Sequence, residues 1–409
     1  MKEKRTMISR FKNMGPAAIV TSAFIGPGTI TTTTLAGVNY QYALLWVILF
    51  SGIALISLMR MTSRVSIVTH KEVTEATVAR FQHYSLVKSG IIVVVTLTLF
   101  VTGFGFEAGN LIGGSMGLAD LFSLPQWLAS LILGAIAFYA VVLGTAKTLE
   151  TLMSLFVAAM GIIFIFAMIA VKPDYFAVAK GFITPQIPEG ALTNIIALIG
   201  TTLIGINILI HSLSSAEKWR DPAQLSEAYF DTNFNIGIGL LITAAIVITA
   251  GTVLFGTGTV VTSPIIFSQM LEPILGEYAR YVGDIGIACA GLSSAIATPL
   301  ILKEVVAHIL GWKRDGLKSR VAGGSAVIFG TILSALGQSP VQIIVFASAL
   351  SGIFLPIIAI MVMIVANSRA LMGTYKNTLL QNIIGGFAIL VTIVLGINSI
   401  IGFVSTILS

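Results

Sequence analysis

The chain has 409 residues, 56% hydrophobic and only 10% charged, with a formal net charge of +6. A soluble domain carries roughly 25% charged residues, so this composition excludes a soluble enzyme or binding module and describes a polytopic membrane protein. The single cysteine, Cys289, sits in an apolar run; it excludes a disulfide framework or a cysteine-rich metal centre and reads as a small buried hydrophobe.

Met1–Lys12 carries five basic residues ahead of the first apolar run, and no small-residue cleavage site follows. It reads as a cytoplasmic tail, not a cleaved signal. Hydropathy then gives eleven spans at about 15–37, 42–60, 90–119, 126–144, 148–171, 190–212, 230–255, 280–310, 319–337, 342–366 and 381–406. The connections are short, so 1–409 reads as a single all-α transmembrane domain in a cell membrane. With the N-terminus inside, 20 of the 23 lysines and arginines face the cytoplasm, leaving Lys172, Lys180 and Arg280 outside. The positive-inside rule favours that orientation, and an odd span count puts the C-terminus outside. The net charge is what this asymmetry leaves and requires no nucleic-acid partner. Nothing demands more than a monomer in the lipid bilayer.

Within the first span lies Gly26-Pro27-Gly28-Thr29. Pro27 removes a backbone donor and blocks a helical bond, while the flanking glycines tolerate unwound dihedrals. Unwound backbone at mid-membrane is stable only against protein or a wet cavity, so the break predicts a binding site. Before span three, His70-Lys71-Glu72 with Glu75 reads as a solvated amphipathic helix. Span six carries a second interruption: Gly200 and Gly205 flank Thr201 and Thr202, with Asn207 following. Interrupted spans five apart are the signature of a five-plus-five inverted repeat, here about 15–171 and 190–366, with 381–406 as an extra span. The remaining histidines, His70, His83 and His308, are scattered; with no nucleophile–base pair or metal-ligand spacing, an enzyme is not indicated.

Asn13-Met-Gly-Pro-Ala through the break, then Gly37-Val-Asn-Tyr-Gln-Tyr-Ala-Leu-Leu-Trp46, resembles the opening of NRAMP-type divalent-metal transporters. The likeness covers nearly the whole chain. It recurs at Lys147-Thr-Leu-Glu150, Lys172-Pro-Asp174, Phe230-Asp231, Ala290-Gly-Leu-Ser-Ser-Ala295, Ala347-Ser-Ala-Leu-Ser-Gly352, Pro356, Asn367 and Leu371-Met-Gly373. The resemblance implies a LeuT-like fold, alternating access, and substrate bound between spans one and six.

The departures concern the chemistry. The family's first-span motif is Asp-Pro-Gly-Asn, and its sixth-span motif is Met-Pro-His. Here the first reads Gly26-Pro27-Gly28-Thr29 and the second Ile204-Gly205-Ile206. The family's ligand positions therefore hold Gly26, Thr29 and Ile204, none of which offers the anionic oxygen or soft sulfur that offsets dehydration of a divalent ion. The family's third-span Asp corresponds to Phe104 and its tenth-span Gln to Ser348, whereas Glu107 and His211 remain.

Two substrate classes follow. One is a small organic carboxylate or amino-acid-like solute, its carboxylate held by the N-terminus of the half-helix after the break. Gly26, Pro27, Gly28, Thr29, Thr201, Thr202, Gly205, Asn207, Phe104 and Ser348 would form that site. The alternative is a divalent ion of the manganese or magnesium type, carried by carbonyls and hydroxyls. For the driving ion, Ala290, Ser293 and Ser294 resemble the eighth-span segment that binds sodium in LeuT-like symporters, with the carbonyls of Ser22 and Ile25 in register. Proton coupling would instead rest on Glu107 and His211, since a charge deep in a span is costly. No cofactor beyond a coupling Na+ is expected.

Overall fold

A computed structural model describes residues 15–144, 146–337 and 340–408. The tail Met1–Lys12 and the side chain of Ser348 lie outside the described residues. Every regular element among those residues is helical. In chain order they are α1 (Pro16–Phe24), α2 (Pro27–Tyr40), α3 (Leu45–Thr69), α4 (Val73–Arg80), α5 (Ser85–Phe122), α6 (Gln126–Leu143), α7 (Ala146–Ala170), α8 (Tyr175–Ile183) and α9 (Leu192–Thr202). There follow α10 (Gly205–Lys218), α11 (Leu225–Val253), α12 (Ile266–Leu275), α13 (Ala279–Ile309), α14 (Leu317–Ala335), α15 (Pro340–Ala366), α16 (Arg369–Met372) and α17 (Leu379–Leu408).

Eight helical stretches among the described residues are long and apolar enough to cross a membrane, or nine if the bent pair Leu350–Ala366 and Arg369–Tyr375 is one span. Sequence hydropathy gave eleven. Part of the difference is physical: the first span is divided into helices of 9 and 14 residues, each too short alone.

Both expected breaks are present. α1 stops because Pro27 cannot donate to the preceding turn, and its ring excludes a continuing helix. Ile25 (φ −85°, ψ 69°) and Gly26 (φ −111°, ψ −178°) leave helical space, and Pro27 then opens α2 as its first residue. The second break falls at Leu203 (φ −91°, ψ 79°) and Ile204 (φ −98°, ψ 119°), without any proline. None of these residues has a positive φ. The unwound dihedrals at the breaks are thus open to any residue, and what calls for glycine at 26 is space: a Cβ there would lie 2.8 Å from Ser294 Oγ and 2.9 Å from Asn110 Oδ1.

The halves pack crosswise, α1 on α10 and α2 on α9, as an in-plane pseudo-two-fold requires. Around them, α5 and α13 form the most extensive helix pair. Their axes come close because Gly114 and Gly291 face each other: a Cβ on Gly291 would lie 2.2 Å from the Gly114 Cα. Without a hydrophobic drive between helices in lipid, such small-residue seams supply the packing. Gly37 does the same for α2 and α11, where a Cβ would meet Ala250 Cβ at 2.5 Å.

The stretch expected to be a solvated helix is instead docked. Glu72 caps α4 by accepting from the Thr74 and Glu75 amides at 2.8 and 3.4 Å, and it is buried with Val73, Thr74, Ala76 and Thr77. The Val73 amide donates to Ser212 Oγ on α10 at 2.8 Å. The reason is capping: two orphan amides draw the carboxylate inward, off the polar face.

Burial pushes the Glu72 carboxyl up to about 7 from its ordinary 4.5. Between those values the folded protein holds a proton that the unfolded chain has released, so this contribution to stability is full below about 4.5 and is lost as pH rises through 7. Glu72→Gln cannot ionise. Its thermal midpoint in detergent should gain on the wild type as pH is raised across that window; parallel pH profiles would contradict the assignment.

Candidate functional site

The two breaks meet in the buried centre of the bundle, where Ser22, Ile25, Gly26, Pro27, Thr29, Ile204, Gly205 and Asn207 are all buried. Between the half-helices themselves, Thr32 Oγ1 of α2 lies 3.3 Å from Thr201 Oγ1 of α9. Ser351 of α15 reaches the Leu203 carbonyl at 3.5 Å, which satisfies part of the second break.

The threonines are mostly committed to their own helices. Thr29 Oγ1 donates to the Phe24 carbonyl across the break, and Thr31 donates to Pro27 O at 2.8 Å. Thr201 donates to Ala197 O at 3.0 Å and Thr202 to Leu198 O at 2.9 Å. Their protons satisfy backbone carbonyls, so what they can offer a ligand is acceptor lone pairs. Asn207 differs: it is buried and its Nδ2 has no hydrogen-bond partner. No side chain caps the start of α2. Its first amides, lacking an aspartate nearby, present the positive end of a helix dipole.

The residues expected at the ion site do come together in part. Ser294 Oγ donates to the Ser22 carbonyl at 2.9 Å, joining α13 to α1 one turn before the break. Ser293 Oγ and Ser22 Oγ are buried without hydrogen-bond partners, and Ala290 and Ile25 are buried too. Glu107 is fully buried on α5, and the Asn110 side chain one turn along is the polar group that interacts with its carboxyl. Phe104 is elsewhere: its ring lies 6.0 Å from Phe100 and 5.2 Å from Phe329 of α14, in an aromatic row between α5 and α14. His211 also sits apart from the break, with Nε2 2.8 Å from Ser63 Oγ and 3.3 Å from Thr232 Oγ1. Among the described residues no group of three His, Cys, Asp or Glu side chains is placed to hold a metal.

Two residues not singled out for the site from sequence prove important. Asn110 faces the first break, and its position one helical turn from Glu107 was the available signal. Asp231 of α11 accepts from the Gly15 and Ala17 amides, both at 2.9 Å, and so caps α1; Asn235 and the positive charge of Lys218 support it. Beside this cap a cavity of about 950 Å³ runs between α1, α7 and α11, from Gly15 and Asn235 up to Ser22. A chain walk that treats each span separately cannot see a carboxylate reaching over 200 residues back.

Paired broken helices crossing at a buried centre, with a cavity leading toward it, define a membrane transporter of the alternating-access type. A family model described as natural resistance-associated macrophage protein-like, Nramp, matches residues 17–402, and the chain belongs to that family. Among its relatives, a divalent metal cation transporter MntH of Caldanaerobacter subterraneus subsp. tengcongensis is 24% identical over 383 residues, 91% of this chain and 89% of that one. Metal transporter Nramp5 of Oryza sativa subsp. japonica is 25% identical over 94% of this chain and 74% of its own length. The backbone is similar to a crystal structure of an Eremococcus coleocola manganese transporter bound to an aromatic bis-isothiourea compound, with TM-score 0.82, 22% identity, and coverage of 98% and 88%. It is also similar to MhsT in complex with L-phenylalanine, with TM-score 0.61, 14% identity, and coverage of 96% and 98%. The fold is thus LeuT-like, and the protein is a multi-pass secondary transporter, not an enzyme.

The cap on α1 gives a test. Asp231→Ala removes the acceptor of two amides, each such bond to a charged group contributing about 1.5–3 kcal/mol. With Cys289→Ser as background and Ala18→Cys as reporter in the cavity wall, maleimide labelling should accelerate by about tenfold or more in the Asp231→Ala protein. Equal labelling rates would show that Asp231 does not hold α1 in place.

Proposed function

We propose that this Nramp-family transporter carries a small organic solute with a carboxylate, anionic or zwitterionic, in place of a bare divalent cation. The observation that carries this reading is the donor set at the crossing. Positions 26, 29 and 204 hold Gly26, Thr29 and Ile204, while the amides opening α2 have no side-chain cap. A divalent ion offsets its dehydration best with anionic oxygens or soft sulfur, and none of these three side chains offers either. A carboxylate, by contrast, is suited to uncapped amides at a helix N-terminus, with the unpartnered Asn207 Nδ2 as a further donor near the second break. For the driving ion, the Ser294–Ser22 contact with the unpartnered Ser293 hydroxyl supports a small all-oxygen site of the kind that suits sodium. The fully buried Glu107 supports protons as the alternative.

A second reading has its own support. The matched relatives are named as metal transporters, and hydrated magnesium needs few direct protein ligands. Thermal shifts of the purified protein separate the two, because a ligand that binds only the folded state raises the midpoint by mass action. On the first reading a carboxylate or amino acid raises the midpoint, with sodium strengthening the effect if sodium is the coupling ion, and manganese does not. Saturable manganese uptake by proteoliposomes, without any carboxylate ligand, would replace the first reading with the second.

A further inference from the structure

We propose that Asn110 determines which substrates the first break accepts, by supplying the side-chain acceptor there and, together with Ser294, by denying position 26 a side chain of its own. This rests on the reading of the site given above and narrows it.

Asn110 lies on α5, is 5% exposed, and donates from Nδ2 to Thr298 Oγ1 on α13 at 3.2 Å. That bond orients the carboxamide, leaving Oδ1 toward the unwound segment. A Cβ placed on Gly26 would sit 2.9 Å from Asn110 Oδ1, 2.8 Å from Ser294 Oγ and 3.1 Å from Ser294 Cβ. Neither neighbour yields freely. Ser294 is tied to the Ser22 carbonyl at 2.9 Å and Asn110 to Thr298, so moving either one breaks a buried hydrogen bond.

Two consequences follow from this placement. Glycine at 26 is dictated by space and not by dihedral, since its φ of −111° is open to any residue. A side chain on residue 26 therefore competes for the same space as the amide at 110 and the hydroxyl at 294. The polar groups that face the break come from α5 and α13, and both are neutral. A carboxamide oxygen accepts an N–H from a ligand ammonium or amide well, but lacks the charge to strip water from a divalent ion. Together with the amides of α2, which suit a carboxylate, the arrangement fits a ligand bearing both a donor nitrogen and an acidic group.

The test uses full-length purified protein with manganese alone as probe, reading the thermal midpoint and equilibrium manganese binding. The proteins are wild type, Asn110→Ala, Gly26→Asp, and the double variant Gly26→Asp/Asn110→Ala. The expectation is that Gly26→Asp lowers the midpoint by several degrees and binds no manganese, whereas the double variant recovers the part of the loss that Asn110 imposes, Ser294 still facing residue 26, and acquires saturable binding. If Gly26→Asp alone keeps the wild-type midpoint, or the double variant melts no higher than the single one, the exclusion is wrong. A double variant that recovers its midpoint without binding manganese overturns the role in specificity. Saturable manganese binding by wild type would instead count against the organic-solute reading, and the midpoint comparison between the single and double variants would still decide the part played by Asn110.

Discussion

Everything at the centre of this molecule follows from one constraint: backbone polar groups inside a bilayer have no water to bond, so they must find partners in the protein. The two breaks meet it differently. In the first, the Thr29 hydroxyl bridges to the Phe24 carbonyl and Ser294 reaches Ser22, so the unwound turn is supported from its own chain and from α13. In the second, Ser351 approaches Leu203 from α15. What these contacts leave without a side-chain partner is the start of α2, whose first amides lie at the buried crossing.

The chain keeps the framework of its family, and that framework and the groups at the crossing answer to different requirements. The framework depends on close backbone approach, at Gly114 with Gly291 and at Gly37 with Ala250 and Gly251, where side-chain volume is the controlling quantity. The chemistry depends on which groups face the cavity. Those two requirements are largely independent, which is why a chain 24–25% identical to metal transporters can share their family while placing Gly26, Thr29 and Ile204 at the crossing.

Much of the fold was legible in the sequence because its signals are local. Apolar run length, Gly26-Pro27-Gly28 and the interrupted sixth span gave an all-helical transporter with both breaks, and the structure has helices ending at Phe24 and Thr202. The site was legible only in part. Ser22 and Ser294 were expected together and are in contact, whereas the threonines turned out to bond their own helices, a choice that residue type alone leaves open. Phe104 and His211 take their contacts from α14 and α3, information held in the packing of distant spans. Asp231 and Asn110 were missed as site residues for the same reason: their partners lie 214 and 188 residues away in sequence. Glu72 was misjudged because a capping role outweighed the polar appearance of its segment.

The Gly114–Gly291 contact sits about one turn from both Asn110 on α5 and Ser294 on α13, with Gly114 and Gly291 backbones in direct apposition. Helices that touch at the backbone cannot slide or roll past one another without steric overlap, so the two polar groups facing Gly26 are mounted on a single stiff frame. The spacing between them is thus set by two glycines in the seam, not by the side chains that face the break.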